Sequence, residues 1–399
     1  MTAPRTLLLS LATALLLPAL TATAAAQDGG DEALEAKRRD LDQRYAFGPT
    51  PAREIGYRIA WQASMGEALK RVDVVGPDVY ALNDRNRMTR IDRANGTIVW
   101  TVDAADPNDT VWGVDEGVAT GDRDWGFNDG DLLYVTSDPV VFVVDHVTGS
   151  IVGRQNLERV PSTGTLRYQN YLVFGTRNGQ VVWHQYQVGH AWRANQLRGP
   201  VKGTPLMVGS NRIAAGSLGG TLLMLDAKST GRVWGDQIFD GVSAELATGG
   251  GKLFCAGLDQ YLRAFDAGNG QVKWRYFTQS KLVTPPTYFE VTGSKGTEGR
   301  VLQWVDSEGL VCLHAETGDA IEGQVAWTLP EARGDFVGTI RDQACVWDAE
   351  SRKLRLVDVA RGAVTTELDL PQIDRIVMDG DTIFAIGTDG RIVRLDPVG

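Results

Sequence analysis

One stretch of this sequence gathers residue types that hold cations or anchor partners. Between Asp103 and Asp131 it carries nine carboxylates against a single base, Arg123, for a local net charge of −8. Trp112, Trp125 and Phe127 lie within it. Asp122, Asp124, Gly126 and Asn128 space their polar groups like the opening of a calcium loop, but no distal glutamate completes the ladder. Three readings of the stretch stay open. It is a solvated acidic loop, a calcium loop, or a binding loop. In the last case Trp112, Trp125 and Phe127 are the anchors and Asp122, Asp124 and Asp129 surround them, since aromatics on loops are favoured binding positions.

Other chemistry is sparse. The four histidines are His146, His184, His190 and His314. His184 and His190 are six residues apart around a turn, a poor spacing for a shared metal, so solvated or core histidines and no metal are expected. No nucleophile elbow, zincin helix, phosphate loop or dinucleotide fingerprint occurs. The formal charge of −10 argues against nucleic-acid partners and anionic membrane surfaces. Cys255, Cys312 and Cys345 each sit in an apolar strand-like run. They read as buried free thiols, with a Cys312–Cys345 bridge as the alternative.

The elements that must position these residues are short strands. The chain holds 46 Gly and 11 Trp in 399 residues, and from about residue 55 one pattern recurs. An alternating strand runs into a turn, then into a second strand ending in Asp, then into a Gly turn and often a Trp. The copies are anchored at Asp92, Asp145, Gln185, Asp226, Asp266, His314, Asp358 and Asp396, at intervals of 38 to 53 residues. Their turn glycines are Gly96, Gly149, Gly231, Gly270, Gly318 and Gly362, and their tryptophans Trp100, Trp234 and Trp274. The turn of the Asp226 copy reads as one residue longer than the others. The copy at Val181–Trp192 is degenerate. An Asp before the turn can accept its N–H groups, and a Gly supplies the positive φ that closes it. A period near 40–45 residues with about four strands predicts an all-β, eight-bladed β-propeller. The last copy stops at Asp396 without a final strand, while Gly56–Trp61 matches the missing tail. The N-terminal strand, with Trp61, is therefore expected to complete the last blade. The segment from Thr284 to Gly299 reads as a second insertion with a flexible hairpin tip.

Residues 1–26 read as a signal peptide: Arg5, an apolar run from Leu7 to Leu20, and small residues ending at Ala26. Export to the periplasm or beyond is the expectation, with no later membrane span. The first Cys is Cys255, so no lipidated Cys follows the signal. Residues 27–54 read as a polar, loosely docked arm, with a short helix over Asp31–Arg44, and 55–399 as a single propeller domain.

The motif quoted from Phe265-Asp266 to Trp274, and from Ile91-Asp92 to Trp100, resembles the repeat of the pyrroloquinoline-quinone (PQQ)-type propellers. The resemblance covers residues 55–399. It implies either a quinoprotein dehydrogenase with PQQ and calcium, or a non-enzymatic BamB-like propeller. The chain has no adjacent Cys pair of the dehydrogenase type and no lipid-anchor Cys of the BamB type. The expectation is a non-enzymatic scaffold with no cofactor and an envelope protein as partner. A quinoprotein-like enzyme or small-ligand binder using the central funnel is the alternative.

Overall fold

The computed structural model describes residues 20–117, 129–293, 296–318 and 320–398. The strands assemble into eight antiparallel four-stranded sheets, each ordered as a simple meander. Blades 1 to 7 span residues 69–103, 111–156, 161–196, 206–237, 247–277, 287–329 and 335–369. Blade 8 spans 373–397 and takes its outermost strand, Tyr57–Ser64, from the other end of the chain.

Alternation in the sequence explains the ring. In the strand Asp78–Asn83, every residue is buried. Tyr80 and Leu82 enter the apolar cluster shared with blade 2, while Val79 and Ala81 enter the cluster shared with blade 8. Side chains of period two therefore supply two different junctions from one strand. Among the described residues, eight such clusters fill the eight junctions between neighbouring sheets. A single blade buries neither face by itself, so the ring has to close.

Closure occurs where the repeat pattern places it. Tyr57 pairs with Pro397 and Ser64 with Arg391, with one irregularity between Ile59 and Trp61. The fold is the eight-bladed all-β propeller expected from the repeat.

Several local expectations change. The stretch Asp103–Asp131 is not one loop. Val111–Glu116 forms the innermost strand of blade 2, so only residues 117–131 connect it to the next strand, Leu132–Ser137. Val111, Gly113 and Val114 are buried there, although carboxylates crowd the sequence on both sides. Thr284–Gly299 is likewise largely strand. Thr287–Gly293 and Gly296–Val305 pair from Thr287↔Leu302 to Gly293↔Gly296. The hairpin expected there is present, as a lengthened inner edge of blade 6.

The N-terminal segment is more firmly held than a loose arm. A helix spans Leu20–Gln43, running through Ala24–Ala26. After it, Phe47 and Ala52 are fully buried, the latter in a short helix, Pro49–Glu54. They join Ile55 in the cluster between blades 7 and 8. Polar composition hid three apolar residues whose targets lie more than 280 positions away. Cys255, Cys312 and Cys345 are all buried and free, which removes the bridge alternative. Among the described residues no helix is long and apolar enough to cross a membrane.

Candidate functional site

The repeat residues converge on the junctions. The carboxylates of Asp92, Asp145, Asp226, Asp266 and Asp358 each accept backbone N–H groups of their own turn, at 2.7–3.3 Å. At Asp145 the N–H and hydroxyl of Thr148 hold the carboxyl below the usual carboxylate range. The fourth residue after the anchor takes the left-handed conformation: Gly96, Gly149, Gly270, Gly318 and Gly362. In blade 4 that residue is Thr230, at φ +62°, and not Gly231. The turn has no extra residue there. The count from the anchor fixes the position, and the Thr accepts the strain. Asp396 instead pairs with Arg394 at 2.8 Å.

Seven of the eight anchors present the carbonyl of the next residue to the preceding blade. Trp61, Trp100, Trp183, Trp234, Trp274 and Trp327 donate their indole N–H to Arg93, His146, Ala227, Ala267, Ala315 and Val359, at 2.8–3.1 Å. Between blades 2 and 3, Gln155 does the same to Tyr186 at 2.6 Å. In blade 7 the position across from Leu356 is Thr366. Close approach explains the glycines: a Cβ on Gly270 would lie 2.6 Å from the Trp234 ring. Sequence reading missed Trp327, because the long turn after His314 displaces it, and Trp183, which lies on a different strand of its blade. Trp192, at the end of the degenerate copy, is exposed and packs at a tilt against Tyr171.

His184, in that copy, is a core histidine beside Gln155 at 2.9 Å. Burial, with His190 nearby, pushes its pKa down to about 4. The folded state therefore favours the neutral ring, and protons bind the unfolded chain more readily. His184 destabilises the fold progressively as pH falls from about 6.5 toward 4, by roughly 3 kcal/mol in all. We expect His184→Asn to remove that slice of acid sensitivity from urea titrations at pH 7 and 4.5. An equal loss of stability in both proteins would contradict the assignment.

Of the candidate binding residues, Trp112 lies on the inner strand of blade 2, half-buried, and donates to Asp138 at 2.7 Å. It is not on a loop. Asp129 opens a one-turn helix, Asp129–Asp131. Asp122, Asp124, Trp125 and Phe127 lie outside the described residues.

Two other regions carry exposed or concentrated chemistry. On the inner strands Arg71 forks onto Asp73 at 2.6–2.7 Å, and Thr165 donates to Asp115 at 2.6 Å. Burial pushes the Asp115 carboxyl up to about 6. At the ring face formed by the loops between blades, Phe239 is 76% exposed and Val283 60% exposed. Their loops are joined by Lys281 and Asp240 at 3.5 Å. The Phe239 loop is rigid: Ile238 and Val242 are buried on either side, and both donate backbone bonds into blade 4, at 2.7 and 2.9 Å. Asp240 sits at φ +60°. Phe239 borders an open depression lined by Leu218, Gly219, Gln237 and Gly241.

Comparison with known proteins places this geometry. The family model described as outer membrane protein assembly factor BamB (PQQ_2) matches residues 169–398. The crystal structure of BamB from Moraxella catarrhalis superposes with a TM-score of 0.63 at 14% identity, covering 85% of this chain and 97% of that one. The computationally designed Ika8 protein superposes with a TM-score of 0.60 at 15% identity, covering 84% and 98%. At those identities the structures share the fold. A 54-residue stretch is 41% identical to 1-butanol dehydrogenase (quinone) of Thauera butanivorans, covering 14% of this chain and 9% of that enzyme. The chain thus matches less than a tenth of that curated relative's length.

Proposed function

The chain belongs to the BamB family of PQQ-type propellers, and from that premise we propose that it is an exported cell-envelope scaffold that binds a protein partner. The observation that carries this reading is Phe239, an aromatic held out to solvent by a loop whose neighbours are buried. A side chain fixed in its binding geometry loses little entropy on docking, and aromatic anchors dominate interface energies. Val283 and the Lys281–Asp240 pair give the anchor an apolar and charged surround.

The quinone-dependent dehydrogenase match motivates the second reading, a funnel that holds PQQ with calcium. Calcium needs several free oxygens. On the inner strands of blades 1 to 3, Asp73 is already forked by Arg71 and Asp115 takes the Thr165 hydroxyl. These residues do not fit a calcium–quinone set, which favours the scaffold.

The test places a photo-crosslinking residue at position 239, and at Val147 on the opposite ring face, in the full chain within an envelope preparation. One envelope protein should be captured from position 239 and not from 147. Phe239→Asp should weaken its binding, measured with the purified partner, by at least about tenfold. Equal capture at both positions, or turnover of an alcohol after PQQ and calcium are added, would overturn the scaffold reading.

A further inference from the structure

The junction between blades 1 and 2 differs from its counterparts. In blades 4 and 5 the residue paired with the repeat Asp on the neighbouring strand is a base, Arg212 or Lys252. Arg212 reaches the carbonyls of Ala267 and Gly268 in the next blade, and Lys252 reaches Glu316. In blade 1 the same position is Asp78, paired with Asp92. An acid here, only 2% exposed, needs positive charge brought to it.

Three ligand-type side chains meet at that acid. His146 Nε2 is 2.8 Å from Asp78 Oδ2 and 3.9 Å from Glu116 Oε1. One ligand atom from each of Asp78, Glu116 and His146 lies within 4.8 Å of the others. They come from three strands' ends: Asp78 from the start of one strand of blade 1, Glu116 from the end of the inner strand of blade 2, and His146 from the turn that also receives Trp100. Arg90 also pairs with Asp78, at 2.9 Å, and its other nitrogen donates to the His146 carbonyl.

A second, independent observation points to a missing guest. The Tyr80 side chain is fully buried, and its hydroxyl has no hydrogen-bond partner. Glu116 Oε1 is also buried without one. Tyr80 stands two residues after Asp78 on the same strand, so both side chains lie on the face turned toward blade 2. A buried oxygen without a partner is costly, and a cation ligated by it removes that cost.

We propose that Asp78, Glu116 and His146 form a zinc-class divalent metal site at the junction of blades 1 and 2. Imidazole with two carboxylates suits zinc and its first-row neighbours rather than calcium or magnesium. The ion takes the position of the proton between His146 Nε2 and the carboxylates, while Arg90 keeps its contact with Asp78. With neutral His146, the two carboxylates and Arg90 sum to one negative charge, so a divalent ion leaves the site at one positive charge. The metal clips the two blades together at the root of the acidic connection 117–131.

The full chain, stripped with a chelator and dialysed against zinc, should retain one zinc per chain through gel filtration. Cobalt in its place should give the visible bands of a low-coordinate histidine–carboxylate site. Zinc should raise the melting temperature. His146→Gln and Glu116→Gln should each lower zinc affinity by more than tenfold and abolish the cobalt bands, while near-UV circular dichroism keeps the native signature. Glu116 is partly exposed at a strand end, so that variant folds even if substitution at 146 does not. The pair Asp122→Asn with Asp124→Asn should keep the zinc. Failure of the folded chain to hold zinc overturns the proposal. So does retention of zinc by both the 116 and 146 variants, or its loss only from the acidic connection.

Discussion

A chain lacking residues 55–62 is expected to lose its cooperative thermal transition altogether. The strand Tyr57–Ser64 supplies the whole outer edge of blade 8. The deletion strips five of its seven paired positions on Arg391–Pro397 and exposes that strand as an open edge. It also removes Tyr57 and Trp61, both buried, from two different junctions. Trp61 further holds the Arg93 carbonyl of blade 1 at 2.8 Å, so the deletion unlocks the ring on both sides of blade 8. Burial of side chains this large stabilises by about 1.5–3 kcal/mol each, against a total stability of 5–15 kcal/mol for an ordinary domain. The measurement is a thermal melt followed by near- and far-ultraviolet circular dichroism. A broad, noncoincident loss of signal is expected, with self-association through the bared edge. A peptide spanning 55–64, added in trans, should restore part of the transition by strand addition. A truncated chain that melts as the intact one does would contradict the closure.

Trp274→Ala carries the next largest effect. Trp274 is fully buried, packs at a tilt against Phe254 and donates to Ala315 at 2.9 Å. The truncation leaves a cavity between blades 5 and 6 and strands a buried carbonyl. Stability should fall by about 3–5 kcal/mol in a urea titration. Trp274→Phe keeps most of the volume and loses the N–H, so it should cost about 1–2 kcal/mol. A variant at Thr366, the blade 7 position that lacks the indole, offers the control, and Thr366→Ala should change stability by less than about 1 kcal/mol. Equal losses at Trp274 and Thr366 would mean the indole contact is not what holds the junctions.

The propeller was legible because its cause is local and repeated. An Asp that accepts its own turn, a residue at positive φ four places on, and strands of period two recur often enough to count blades and to find the missing strand. Individual copies misled where spacing alone was used. Thr230 holds the turn position expected of Gly231, and in the degenerate copy the junction indole is Trp183. The acidic stretch was overread as a loop because carboxylate density masked a buried inner strand, Val111–Glu116. Phe47 and Ala52 looked like arm residues because their partners are far along the chain.

The candidate sites were far less visible. Phe239 is one aromatic after one strand, and nothing nearby in the sequence marks it as exposed. Asp78, Glu116 and His146 are 38 and 30 residues apart, on two blades, with no motif linking them. By itself the sequence determined the repeat, the number of blades and the end that closes the ring, because each rests on hydrogen bonds and alternation within some forty residues. Only the tertiary structure decided which side chains meet at a junction and which face water, because the curvature of the ring brings one residue from each neighbouring blade to the same few ångströms.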